Sequence, residues 1–243
     1  MRTFIFAKRN MKEILRDPLT LIFGLGFPLV LLFLLSAIQA NIPVSLFEID
    51  SLTPGITMFG ASFMSLFSAI IIAKDRGSSF LQRLYTTPMR AVDFLLGYAL
   101  PMLPIALAQC VICYVAAVIL GLEITINILY AILLSIPVAL LFIAFGVLFG
   151  SILNEKQVGG ICGALMTNLS AWLSGIWFDL KVVGGTFEKI ANFFPFVHAV
   201  EMQRAALAGN YLDILPHAWW VLGYSVLFFA LAVLFFLRQM KKQ

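Results

Sequence analysis

Cys110 and Cys113 form a C-x-x-C pair, the spacing that thiol redox chemistry and metal binding both use. No histidine or carboxylate accompanies them. With Cys162 they lie inside apolar runs, where a thiol behaves as a small hydrophobe. His198 and Glu201, three residues apart, can share one helix face and offer a polar contact to a substrate. A satisfied structural pair is the plainer reading. The sequence holds no G-x-x-x-x-G-K-[ST], no H-E-x-x-H and no G-x-S-x-G, so this chain does not bind ATP in the P-loop manner and carries neither of those hydrolase motifs. No Asp, Glu, Lys, Arg or His is centred in an apolar run, which leaves no proton relay, ion-coupling carboxylate or membrane-embedded active site. The fold has no inverted halves with charged midplane residues. What remains is binding and mechanical contact.

Two stripes could bind. Phe59, Phe63 and Phe67 recur every four residues beside Ser62 and Ser65. Gly163, Thr167, Ser170 and Ser174 make one small, weakly polar helix face, with Asn168 beside it and Trp172 near; Gly159 and Gly163 form a G-x-x-x-G. Helix packing explains both stripes. The functional reading is a path for an amphiphilic substrate between two such helices.

The mechanical candidate is AKDRGSSFLQRLYTTPMR, residues 73–90, a charged stretch between two apolar runs. Gly77 permits a sharp turn. Ser79 and Gln82 have the spacing of a capping box. Phe80, Leu81, Leu84 and Tyr85 then fall on one side of two turns, and Thr86-Thr87-Pro88 ends the helix. A short capped helix with an apolar face is expected, resting on lipid or seated on a partner.

The elements that must position these residues follow from composition. The chain has 243 residues, 62% hydrophobic and 12% charged. A soluble domain is nearer half apolar and a quarter charged, so the chain needs lipid as solvent. A spanning helix takes about 20 apolar residues, and six windows qualify: Leu19–Ile38, Thr53–Ala73, Phe94–Leu120, Ile128–Leu148, Val158–Phe178 and Ala218–Leu237. Pro101 and Pro104 predict a kink or break in the third. The fold class is all-α membrane, a single transmembrane domain over 1–243. Residues 1–17 read as a basic amphipathic interfacial helix with Phe4, Ala7, Met11, Ile14 and Leu15 on its apolar face. Residues 74–92 form the charged segment, and 179–215, rich in aromatics, a re-entrant hairpin holding Pro195, His198 and Glu201. Thirteen basic residues fall on the side of the two termini and three (Lys181, Lys189, Arg204) on the other, so both termini are expected in the cytoplasm. The net charge of +4 is therefore a topology signal, with no nucleic-acid partner.

FLQRLYTTPM, Phe80–Met89, resembles the coupling segment of ATP-binding-cassette (ABC) type-2 permeases. Leu81, Arg83, Leu84, Thr87 and Pro88 match the family's pattern, and Asp75 and Arg76 stand where its acidic and basic pair stand. Gly77 lies earlier than the usual glycine, whose place Ser79 takes. SGIWFD at Ser174–Asp179 and NFFPFVHAVEMQRAAL at Asn192–Leu207 also resemble family patterns, so the resemblance runs along the whole chain. It implies the multi-pass permease subunit of an ABC exporter in a bacterial plasma membrane. Two such subunits, identical or paralogous, form the pathway, and each docks one separate ATPase chain that carries ATP and Mg. The coupling contact would be Asp75, Arg76, Gly77, Phe80, Leu81, Arg83, Leu84, Tyr85, Thr87 and Pro88. The substrate path or dimer interface would use Phe59, Ser62, Phe63, Phe67, Thr167, Asn168, Ser170 and Trp172. The compact chain points to drug, antibiotic, peptide or lipid export; a lipid-linked polysaccharide exporter, or a channel or structural membrane protein that never meets ATP, are the alternatives.

Overall fold

The computed structural model describes residues 2–78, 80 and 89–240. Ser79, Leu81, Arg83, Leu84, Tyr85, Thr87 and Pro88, and with them the expected coupling helix, lie outside the described residues. The described residues are helical, without strands. They form α1 (Arg2–Leu15), α2 (Pro18–Gln39), α3 (Ile49–Gly77), α4 (Ala91–Ala99), α5 (Met102–Ile119), α6 (Ile126–Ile152), α7 (155–173), α8 (Leu180–Val183), α9 (Gly185–Phe193), α10 (Pro195–Leu207) and α11 (Tyr211–Met240).

Among the described residues, five helices are long and apolar enough to cross a membrane: α2, α3, the α4–α5 pair, α6 and α11. The fifth expected window, Val158–Phe178, is instead the shorter helical run α7, which stops at Leu173 and opens into a π-helical turn over Gly159–Met166. The expected break in the third span is present: α4 ends at Ala99 and α5 begins at Met102, because Pro101 and Pro104 bring no N–H to the ladder. The segment 179–215 is helical almost throughout, and α11 starts at Tyr211, several residues before the expected span. Gly77 keeps helical backbone, and the chain leaves α3 at Ser78, which is extended, so no left-handed glycine makes that turn.

α3 is the axis of the bundle. The rest of the chain covers 89% of its apolar stretch, against 22% for α2 and for α11. Buried serines on α3 satisfy their hydroxyls on the helix itself: Ser62 donates to Phe59 O at 2.6 Å and Ser68 to Met64 O at 2.6 Å. α6 lies closest to α3, and two glycines permit the approach. A Cβ on Gly150 would stand 2.8 Å from the Ala69 carbonyl, and one on Gly146 would overlap the Ser65 carbonyl. The close helix contact is thus at Gly146–Gly150, not at the G-x-x-x-G of Gly159 and Gly163, where Gly159 meets nothing within 4 Å. Gly146→Ala is expected to cost about 1–3 kcal/mol by overpacking, read as a lower Tm of the detergent-purified protein, while Gly159→Ala stays near wild type. Equal melting of the two variants would remove this account of the α3–α6 contact.

Candidate functional site

At the Gly77 end of α3, four helices are tied by a polar junction. Asp75, 3% exposed, receives the Arg9 guanidinium from α1 through Nη1 at 2.8 Å and Nη2 at 3.3 Å. Tyr98 of α4, fully buried, donates its hydroxyl to Asp75 at 2.9 Å. Arg9 also pairs with Glu13 at 2.7 Å, and Glu13 with Lys74 at 3.1 Å. A bidentate arginine on a buried carboxylate fixes orientation as well as distance. Asn10, fully buried, donates to the Gly97 carbonyl at 3.0 Å. Gly97 has no side chain, which leaves room for Phe6 to pack edge-on against Tyr98 at 4.9 Å. Arg76 turns the other way and donates to the Gly150 and Leu153 carbonyls at 2.7 and 3.2 Å, satisfying acceptors that the C-terminal turn of α6 leaves open.

Asp75 and Arg76 are therefore not a pair with each other. They couple α3 to α1 and to α6 respectively. Phe80 sits over this junction, stacked with Phe6 at 6.4 Å and 4.4 Å from the Arg9 guanidinium carbon. On the far side of the undescribed segment, Arg90 N donates to Asp93 at 2.9 Å, capping α4, and Thr3 donates to Asp93 at 3.0 Å. The sequence reading singled out Asp75 and Arg76 but missed Arg9, Asn10 and Tyr98. The face of α1 buried in the protein is Phe6, Ala7, Asn10 and Ile14; Phe4 and Leu15, of the apolar face expected at the membrane interface, are 72% and 54% exposed.

The stripes separate. Phe59, Phe63 and Phe67 are buried, covered by Phe23 and Phe27 of α2 and by Trp177. Ser62 is buried with them. Thr167 and Ser170 turn inward and donate to carbonyls of their own helix, at Gly163 and Thr167. Asn168 and Trp172 face out, Trp172 being 53% exposed.

At the opposite end, Pro195 opens α10. His198 does not pair with Glu201. Its Nδ1 lies 2.8 Å from His217 Nδ1 and its Nε2 3.0 Å from the Asn192 carbonyl. The carbonyl only accepts, so His198 carries its proton on Nε2 and His217 donates from Nδ1. Burial pushes the His198 pKa down, which favours this neutral form. Glu201 pairs with Arg204 at 2.8 Å, and Arg204 also donates to the Ser51 and Gly175 carbonyls. These residues border a polar cleft of about 580 Å³. The three cysteines are free and buried, and no cluster of metal-ligating side chains occurs among the described residues.

The sequence profile of the family described as "ABC-2 type transporter" matches residues 1–208. The chain is similar to a protein of Pyropia yezoensis named "Putative transport permease ycf38", 32% identical over 119 residues, which is 46% of this chain and 41% of the relative. It is similar to proteins of the same name from Cyanophora paradoxa, 32% identical over 36% of this chain and 32% of the relative, and from Porphyra purpurea, 30% identical over 47% and 42%. The matches span less than half the length of these curated relatives.

Proposed function

We propose a function from one premise: the chain belongs to the ABC-2 type transporter family. It is the permease subunit of an ATP-driven exporter of an amphiphilic substrate such as a drug, antibiotic, peptide or lipid. A second permease subunit completes the pathway, and each permease docks one ATPase chain that supplies ATP and Mg. The α7 run serves as a sixth span, which puts both termini on the strongly basic, cytoplasmic side. The α9–α10 pair dips into the opposite leaflet, supported by the burial of Phe196, Val200 and Met202 within the bundle. Asn168 and Trp172, outward on α7, are the part of the proposed path left open to a second subunit.

The observation that carries this reading is the junction around Asp75. A chain without a P-loop must receive energy by contact. Here the residues flanking 81–88 are fastened to α1, α3 and α4 at once, so force on that segment reaches several helices together. The test is reconstitution: the chain purified from native membranes should bring a P-loop ATPase with it, and the pair in liposomes should hydrolyse ATP faster with a transported amphiphile present. Absence of any such ATPase from the purified assembly would overturn the reading.

Orientation has its own check. In a background with the three native cysteines replaced, an impermeant maleimide added to intact cells is expected to label Asp50→Cys and Asp213→Cys but not Arg83→Cys. Labelling of Arg83→Cys would invert the topology.

A further inference from the structure

We propose that the groove between α1 and the Gly77 end of α3 is a binding site for the phosphate of an anionic phospholipid, in the leaflet on the α1 side. It is a cleft of about 910 Å³. Five cations line it (Lys8, Arg9, Lys12, Arg16, Lys74) against two carboxylates, Glu13 and Asp17. The carboxylates are engaged. Asp17 caps α2, accepting from Leu19 N at 3.1 Å and Thr20 Oγ1 at 2.7 Å, and Glu13 is shared by Arg9 and Lys74. Arg9 is held by Asp75. Lys8, Lys12 and Arg16 are left with no carboxylate partner among the described residues.

Those three are four residues apart in succession, so they stand in one row along α1 and just past its end. Like charges at that spacing repel, and an anion between them relieves the repulsion. The row faces an apolar wall made by Ile14, Phe67, Ile70 and Ile71. A free phosphate would use the cations and leave Ile5, 67% exposed, and the partly exposed Ile70 uncovered. A phospholipid uses both, with its phosphate on the lysines and arginine and an acyl chain along Ile5 and Ile70. Basic pockets beside membrane helices favour such headgroups. The site needs a membrane setting for the chain but not transport, so it stands or falls apart from the proposed export function.

The test uses the full chain in mild detergent, with native mass spectrometry reading bound phosphatidylglycerol against phosphatidylcholine. Wild type is expected to bind phosphatidylglycerol at least tenfold more tightly. The triple variant Lys8→Gln, Lys12→Gln, Arg16→Gln should lose that preference, and the exposed single change Arg16→Gln should weaken it about threefold, a readout that survives if the triple variant misfolds. Lys181→Gln with Lys189→Gln, at the other end of the molecule, should change nothing. Glycerol 3-phosphate at millimolar concentration should not displace the lipid. Equal binding of the two lipids by wild type, an unaltered preference in both α1 variants, or displacement by glycerol 3-phosphate would overturn the proposal; the last would mark a site for free phosphate.

Discussion

Asp75→Ala is expected to destabilise the protein by about 3 kcal/mol and to detach α1 from α3. Removing one partner of a buried ion pair costs about 3–5 kcal/mol, because the other charge stays behind without compensation. Arg9 is 37% exposed at its side chain and partly regains water, which argues for the lower end. Tyr98, fully buried, loses the carboxylate acceptor at 2.9 Å, a penalty of about 1–3 kcal/mol within that total. Asp75→Asn keeps an acceptor for Tyr98 and nearly the same volume, so its loss should be about half as large. Glu13→Gln touches pairs that are more exposed, worth about 0–1 kcal/mol. The measurement is thermal unfolding of the purified chain, with protease cleavage after Lys8 or Lys12 reporting release of α1. If Asp75→Ala melts with Glu13→Gln, the junction is not what holds α1 in place.

The contrast between Asp75 and the spans shows what was legible. Span positions follow from runs of apolar residues longer than the membrane is thick, and the break at Pro101 from the missing proline N–H; both are local properties. The Arg9–Asp75 contact joins residues 66 apart in sequence. Periodicity says that α1 has an apolar face, but α1 has two, one for protein and one exposed. Phe6 and Asn10 won the inner one because Gly97 leaves a recess opposite them. His198 and Glu201 illustrate the same limit. Their spacing allows one face, yet Arg204, also three residues on from Glu201, takes the carboxylate, and His217, brought in by α11, takes the histidine. The α7 window reads as a span because its weakly polar residues are small. Its hydroxyls satisfy themselves on their own carbonyls, so the face that seemed to offer a substrate path is turned inward. The G-x-x-x-G at Gly146 and Gly150 was equally visible. Only the approach of α3 distinguishes it from the one at Gly159 and Gly163.

Leu84→Asp is the second change with a large expected effect, and it acts on a partner rather than on the fold. Leu84 lies outside the described residues, so the prediction rests on sequence and on what flanks it. Leu84 shares a face with Phe80, Leu81 and Tyr85 in the helix that the residue pattern predicts. On one flank Phe80 is stacked on Phe6 and lies under Arg9. On the other, Asp93 caps α4 and accepts from Thr3 of α1. In the proposed coupling role, both described flanks of residues 81–88 rest on α1, so a force applied there would pass to α1 and through Asp75 to α3. Seating one leucine in a partner's groove contributes about 1.5–3 kcal/mol. A carboxylate there costs about 2 kcal/mol or more unless it finds a partner. Together these amount to a loss of affinity for the ATPase of about three-hundredfold or more. The permease itself should insert and melt as wild type, since no spanning helix is changed. Val115→Ile, on an exposed face of α5, serves as the control. The measurement is the dissociation constant of the ATPase for the permease in nanodiscs, together with substrate-stimulated hydrolysis. Wild-type values of both for Leu84→Asp would place the contact elsewhere, on α1 or at 154–157, and would leave the Asp75 junction as a structural fastening without a part in coupling.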